Sequence, residues 1–244
     1  MGALAVIIPM FNEQANAERC VRTVCGVLRS SVPGARLFAV NDGSADDTLS
    51  ILQRLATDEP LLEVVNCERN GGYGKACATG MQAAHDKGFE FGLVMDSDLT
   101  NDPALIPSFA EKLASQSFDV IKASRYIAGG GMEGVPAWRQ AYTIVGNRIA
   151  SLLFNMGIRD CTNGFHAVRL SMVAGEKFQE RGFSFLLEEL LLLKRKGARA
   201  SEIPYILTSR ASDEGVSKFS YRPKVLWAYL KYALRAPFVS GHKV

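Results

Sequence analysis

The sequence predicts an α/β protein, a mainly parallel sheet flanked by helices on both faces. Three observations carry this. Short apolar runs of strand length alternate with segments of helical periodicity through the first half of the chain, and βαβ alternation produces a parallel sheet. Those runs are continuously apolar, as strands buried on both faces must be. The 244 residues, 48% of them hydrophobic, are enough to bury a sizeable core.

The elements follow in order. Leu4-Ala-Val-Ile-Ile-Pro9 reads as a central strand closed by proline, and residues 13–30 carry Ala17, Val21, Val24 and Leu28 as a helical stripe. Residues 37–40 form a second strand, after which Ser44-Ala-Asp-Asp47 has the form of a capping box opening a helix. Residues 61–65 form a third strand. The Gly-rich turn Asn70-Gly-Gly-Tyr-Gly74 then leads into a helix over 75–87. The fourth strand is 91–95, Pro103 and Pro107 start another helix, and 119–123 is a fifth strand. Beyond Tyr126 come a flexible Ala128-Gly-Gly-Gly131 loop, a helix over about 137–156 and the turn-rich Asp160-Cys-Thr-Asn-Gly-Phe165. A helix over 185–196 has leucine nearly all round and reads as core, with Glu188 and Glu189 out of place in it; one of them can look into a site. Residues 203–207 are a last strand and Pro223 opens a final helix. No linker, repeat or low-complexity segment interrupts the chain. The expected organisation is one domain over 1–222 with a C-terminal amphipathic helix and tail over 223–244.

Composition narrows the function classes. A net charge of +3 is too small to argue for nucleic acid. Six basic side chains between Arg210 and Arg235, against Asp213 and Glu214, point to phosphates, an anionic membrane surface or a merely solvated face. Five cysteines without a C-x-x-C pair fit free thiols in a reducing compartment, not a zinc site. The N-terminus shows no signal peptide and no run reaches the ~18 apolar residues of a membrane span. The expected location is cytoplasmic.

Most informative is Val94-Met-Asp96-Ser-Asp98-Leu-Thr100. A spacing of two puts Asp96 and Asp98 on the same side of an extended segment, just past a strand end where α/β sheets collect ligands. Two hard oxygen donors there suit Mg²⁺ or Mn²⁺ carrying a diphosphate. A strand end capped by two Asp residues that bind nothing is the alternative.

Pro9-Met-Phe-Asn-Glu13, Val40-Asn-Asp-Gly-Ser44 with Asp46 and Thr48, and Asp96-Ser-Asp98 together resemble the family 2 glycosyltransferases of GT-A fold. Ser124-Arg-Tyr126, Arg139, Asp160-x-Thr-Asn-Gly-Phe165 and Gly215-Val-Ser-Lys218 are similar to dolichol-phosphate mannose synthases and related polyprenyl-phosphate glycosyltransferases. The resemblance implies a Rossmann-like GT-A fold and an inverting, metal-dependent transfer of a hexose from a nucleotide-diphosphate sugar to a polyprenyl phosphate. It places Pro9, Asn12, Glu13, Asp42, Lys75 and Asp96 on the nucleotide-sugar side, with Glu13 and Asp42 near base and ribose. Glu13 is equally suited to a helix N-terminus, and the turn holding Lys75 to a purely structural loop. Asp96, Asp98 and Thr100 would hold the metal. Arg139, Thr143, Ser217 and Lys218 would take the acceptor phosphate, and Asp98, Arg125, Arg139, Arg210 and Lys218 would be catalytic. The chain departs from the family's usual residues at Thr100 (Gln), Asn41 (Asp) and His166 (Arg).

His166 invites assignment as a base, but a histidine in a turn is more often a surface or hydrogen-bonding residue. A lipid monophosphate has its second pKa near 6 and needs no base; it needs cations to hold two phosphate groups together. A family 2 transferase with a soluble or polysaccharide acceptor would need a carboxylate base, with Asp160 or Glu189 as candidates. A non-catalytic nucleotide-sugar sensor is a further alternative, whereas a nucleotidyltransferase lacks its glycine-rich N-terminal signature. Leu226, Trp227, Leu230, Ala233, Leu234 and Pro237 form one stripe of the final helix, suited either to a membrane interface or to the protein's own core.

Overall fold

The computed structural model describes residues 3–208 and 223–239. Its first half is three βα units: β1 (Leu4–Met10), α1 (Ala17–Ser31), β2 (Arg36–Asp42), α2 (Thr48–Asp58), β3 (Leu62–Cys67) and α3 (Tyr73–Asp86). Next come β4 (Phe91–Val94), α4 (Ile106–Ala114) behind a short 3₁₀ turn, and β5 (Val120–Ser124). The second half holds β6 (Gly131–Met132), α5 (Ala137–Phe154), β7 (His166–Arg169), α6 (Phe185–Arg195), β8 (Ala200–Pro204), β9 (Ile206–Leu207) and α7 (Pro223–Arg235).

Seven strands form one sheet in the order β3-β2-β1-β4-β7-β5-β8, and β6 pairs with β9 in a small second sheet. Every neighbouring pair in the large sheet is parallel except those of β7, which runs antiparallel between β4 and β5. The strand order turns at β1, with β2 and β3 on one side and β4 on the other. Such a switch point opens a crevice beyond the carboxyl ends of the strands.

Alternate residues of each strand feed two cores. Val6, Ile8, Leu37 and Ala39 face a cluster with α1, α2 and α4, whereas Ile7, Phe38 and Val40 face one with α3, α5, α6 and α7. Small residues let α3 lie close on the sheet. A Cβ on Gly80 would sit 2.5 Å from Ile7 Cγ2 and 2.8 Å from Val40 Cγ2.

Three sequence expectations are corrected. The first helix begins at Ala17, not Glu13, because Asn12 takes a left-handed φ of 54° and residues 13–16 turn. The capping box does not form: Asp47 is the residue before α2, and Ser44 Oγ instead accepts from Asn12 N across the gap to the first loop. The last strand is two, since β8 and β9 belong to different sheets and Tyr205 stands between them. β7 was invisible in the sequence as a separate strand.

At the opposite edge Asp119 staples three strands. It accepts from Arg199 Nε and Nη2 at 2.9 and 3.0 Å and from Arg169 Nε at 2.9 Å. These contacts, Arg199 first, hold its carboxyl at about 2.

Candidate active site

Parallel β1, β2, β3, β4 and β5 end on the same edge of the sheet, and antiparallel β7 begins there. The topology therefore gathers Pro9–Glu13, Asn41–Ser44, Asn66–Tyr73, Asp96–Thr100, Ser124–Tyr126 and Asp160–Phe165 at one rim, although they are scattered through the sequence.

On the β1–β3 side, side chains stitch two loops together. Glu13 N donates to Thr48 Oγ1 at 2.8 Å, Ala45 N to Asn12 Oδ1 at 2.9 Å and Gln14 N to Asp46 Oδ2 at 3.1 Å. Pro9, the penultimate residue of β1, is partly exposed, and Glu13 Oε2 accepts from Asn16 Nδ2 at 2.8 Å. Asp42 is buried, and its two oxygens accept from Gly71 N and Gly72 N, each at 2.8 Å. Its carboxylate thus shapes the Gly-rich turn instead of standing free. Gly72 has φ 88°, and a Cβ there would lie 2.5 Å from Arg181 O, so the turn requires glycine. Lys75 is exposed at the first turn of α3 with its methylenes folded over Gly71, so its ammonium stays at the rim. Asn41 Nδ2 donates to Asn66 Oδ1 at 2.7 Å.

Asp96 and Asp98 follow β4 at the switch point, both partly exposed. Asp98 Oδ1 accepts from Thr100 N at 3.0 Å and from Thr100 Oγ1 at 2.7 Å. Thr100 thereby orients a carboxylate, and Leu99 between them takes a left-handed φ of 62°. Two residues outside the sequence reading complete the loop. Asn101 Oδ1 accepts from Asp96 N at 2.7 Å, and Tyr205 Oη donates to Thr100 O at 2.7 Å. Burial pushes the Tyr205 hydroxyl up to about 12, which keeps it a donor. Among the described residues no group of three or more His, Cys, Asp or Glu side chains could enclose a metal ion. The donor set is two rim carboxylates, which fits a hard cation that takes its remaining oxygens from substrate and water.

A cleft of about 570 Å³ opens beside this loop, lined by Leu99, Thr100, Asp102, Glu133, Tyr205 and Ile206 among others. Glu133 is exposed there, a carboxylate the sequence reading did not single out.

On the far side, Arg125 is committed. Its Nε and Nη2 donate to Asp160 at 2.7 and 2.8 Å, and its own N donates to Asp160 Oδ2 at 3.1 Å. Burial alone would lower the guanidinium, but the Asp160 carboxylate more than offsets this and raises it above its ordinary value. Tyr126 Oη donates to Thr143 Oγ1 at 3.1 Å, and Asn147 Nδ2 donates to Thr162 Oγ1 at 2.9 Å. Thr143 and half-buried Arg139 lie on the same helix, α5. Arg210, Ser217 and Lys218 lie outside the described residues.

His166 is neither in a turn nor at the surface. It is the first residue of β7, fully buried, with Nε2 2.7 Å from Glu189 Oε2. Of the two glutamates in α6, Glu188 accepts from the backbone N–H of Gln179 and Glu180, and Glu189 points inward. Asp160 and Glu189, the two named candidates for a base, are both sealed from solvent.

Residues 5–174 match the profile of "Glycosyl transferase family 2". The chain is 31% identical to a dolichol-phosphate mannosyltransferase of Pyrococcus furiosus over 235 residues, 95% of this chain and 63% of that protein. It therefore spans less than two thirds of that relative's length. It is 27% identical to an undecaprenyl-phosphate mannosyltransferase of Micrococcus luteus (88% of this chain, 86% of that one). Identity to a polyprenol monophosphomannose synthase of Mycolicibacterium smegmatis is also 27%, over 88% and 80% of the two chains. Among solved structures, the glucosyl-3-phosphoglycerate synthase of Mycobacterium tuberculosis in complex with Mn²⁺, UDP and phosphoglyceric acid superposes with a TM-score of 0.67. That similarity, at 18% identity, covers 99% of this chain and 80% of that one. The fold is GT-A, and the chain belongs to glycosyl transferase family 2.

Proposed function

We propose that this enzyme moves a hexosyl group from a nucleoside diphosphate sugar to a polyprenyl phosphate, with inversion and with Mg²⁺ or Mn²⁺ at Asp96 and Asp98. The observation that carries the choice of acceptor is the sealing of the carboxylates. Asp160 is 0% exposed and Glu189 2%, so neither can take a proton from a sugar hydroxyl. A phosphate monoester, already largely anionic at neutral pH, dispenses with that step. The acceptors named for the relatives from three organisms agree with it.

Each residue then has a task. The stitched Pro9–Glu13 and Asn41–Thr48 loops and the turn built on Asp42 form the nucleotide side, with Lys75 placed to meet a phosphate. Asp96 and Asp98 would hold the metal, which when bound neutralises the diphosphate and stabilises it as leaving group. Thr100, Asn101 and Tyr205 hold that loop in shape. Arg139 and Thr143 of α5, with Ser217, Lys218 and Arg210, are assigned to the acceptor phosphate, while Arg125 holds the Asp160 loop in place. Catalysis then rests on positioning and charge neutralisation. A single displacement inverts the anomeric centre.

Peripheral membrane contact belongs to the same proposal, since a polyprenyl phosphate keeps its phosphate at the bilayer surface. No helix among the described residues is long and apolar enough to cross a membrane. Yet α5 and α7 touch each other, and each leaves an apolar row in solvent. On α5 it is Trp138, Tyr142, Val145, Ile149 and Leu152, and on α7 it is Trp227, Leu230 and Leu234, continued by Phe238 in the short 3₁₀ turn that follows. Leu152 and Phe238 are 80% and 89% exposed, far beyond scattered surface apolars, and such faces suit a bilayer interface.

Glu133 favours a second reading, a hydroxyl acceptor deprotonated by that exposed carboxylate. The test is incubation with radiolabelled sugar nucleotides, Mg²⁺ and polyprenyl phosphate in the wild-type and Glu133→Gln proteins. Label in the lipid phase from both proteins supports the proposal. Label only on soluble acceptors, abolished by Glu133→Gln, replaces it.

A further inference from the structure

Beneath the rim lies a group of buried polar side chains that the proposed reaction does not use. His166 and Glu189 are 0% and 2% exposed. His166 Nδ1 lies 2.8 Å from Gly164 O and Nε2 2.7 Å from Glu189 Oε2. A carbonyl oxygen only accepts, so Nδ1 carries a proton. Nε2 then faces a carboxylate oxygen, and two lone pairs at that distance would repel. One further proton must lie between them, whichever atom bears it. Glu189 Oε1, buried, finds no hydrogen-bond partner among the described residues, and the buried Tyr73 hydroxyl has only the Cys77 thiol beside it.

The elements packed around the pair supply few other charges. From β5, Lys122 is buried and donates to Asn163 O at 2.8 Å; burial lowers it, and Glu189 is the strongest influence the other way. From α3 come Tyr73 and Cys77, both pushed well above their ordinary values, chiefly by burial. From the loop before β7 comes Asp160, already paired with Arg125. The pair thus sits where the two halves of the site meet. His166 holds the carbonyl of Gly164 in the acceptor-side loop. Gly164 in turn presses on α3, since a Cβ there would stand 2.8 Å from Tyr73 Oη. Tyr73 opens α3 directly after the turn that Asp42 shapes.

We propose that the His166–Glu189 pair is a positioning element that fixes the Asp160–Phe165 loop against α3, and so sets the acceptor side of the site relative to the donor side. Stability alone does not call for it, because well-packed apolar residues replace buried ion pairs without loss in many proteins. What apolar residues cannot do is hold the carbonyl of Gly164 at a fixed angle. This inference rests on the transferase reading for its assay but not for its structural test.

The experiment compares Glu189→Gln with the double variant His166→Leu/Glu189→Leu in the full chain. Thermal midpoint, sugar-nucleotide affinity and turnover with polyprenyl phosphate are measured on each. A glutamine amide still donates to neutral His166 Nε2, so Glu189→Gln keeps kcat within about threefold. The double variant, if cooperatively folded, keeps nucleotide affinity within about threefold and loses at least about tenfold in kcat/KM for the lipid. A folded double variant with wild-type kcat/KM overturns the proposal. ¹⁵N-histidine NMR of the wild type gives a second test, independent of folding of the variant and of any turnover. His166 is expected to keep its Nδ1 proton across about pH 5.5 to 8.5. A neutral ring protonated on Nε2 alone overturns the clamp. A wild type with the expected ring signature but no transfer to lipid would count against the proposed acceptor and not against the clamp.

Discussion

At the scale of single residues, the rim carboxylates divide into those that face substrate and those that build the protein. Asp42 belongs to the second kind, because both oxygens are occupied by Gly71 N and Gly72 N. Asp42→Ala would leave two partly or fully buried N–H groups without an acceptor, each costing about 1–3 kcal/mol. Denaturant unfolding should therefore show a loss of about 3 kcal/mol, and sugar-nucleotide affinity should fall with it; an unchanged midpoint would mean that the turn holds its shape by itself. The proposed reaction assigns Asp98, partly exposed at the rim, to the first kind. Chelator should abolish turnover, and Asp98→Asn should remove it while leaving the unfolding midpoint within a degree or two, about ±0.5 kcal/mol; full activity in chelator would dismiss the metal. Much of this was legible in the sequence, since Asp96 and Asp98 announce themselves by spacing and by following an apolar strand. The partners were not. Asp42 meets glycines 29 and 30 positions away, and Tyr205 reaches Thr100 over 105; only the folded chain brings these together. His166 illustrates the same limit, because its neighbours Asn163 and Gly164 read as a turn and the strand beginning at His166 itself has only four residues.

At the scale of elements, long periodic helices and buried strands were readable and β7 was not. An antiparallel strand inserted between β4 and β5 is stabilised by pairing on both sides, not by a pattern of its own. α7 divides the stripe expected of it. Tyr232, Ala233 and Ala236 are buried, and Lys231 pairs with Glu180 on the body of the protein. Trp227, Leu230 and Leu234 remain in solvent. The core reading of the stripe therefore holds for Ala233, and a membrane interface for its exposed residues is part of the proposal. If the outer row docks on a bilayer, Trp227→Glu/Leu230→Glu should fold normally and bind anionic liposomes at least about tenfold more weakly, since each buried side chain contributes about 1.5–3 kcal/mol. Sedimentation with liposomes that is unaffected by the double substitution would remove α7 from the contact.

At the scale of the whole molecule, one edge of the sheet carries the site and the other carries the staple around Asp119. The Asp119 carboxyl is held at about 2, below its ordinary 3.8, chiefly by hydrogen bonds from Arg199. A depressed carboxylate contributes stability that is fully present above the unfolded value near 4 and is lost as pH falls through about 2. The shift is worth about 2 kcal/mol. Asp119→Asn should thus lower stability at neutral pH by about that amount and flatten the fall between about pH 4 and 2; an unchanged acid limb would show that other carboxylates govern it. The strand order, in turn, explains why motifs spread over 160 positions could be read as one site. A parallel sheet with a single antiparallel insertion puts the motif loops between Pro9 and Phe165 on the same rim. The most direct test of the whole reading is a rate comparison on matched acceptors, polyprenyl phosphate against the same polyprenol as free alcohol, with saturating sugar nucleotide and Mg²⁺. Transfer to the phosphate with at least about a thousandfold lower rate on the alcohol, a difference of about 4 kcal/mol in barrier, is the expected result. Comparable rates on the two acceptors would contradict it, because a base that activates a hydroxyl would then have to exist.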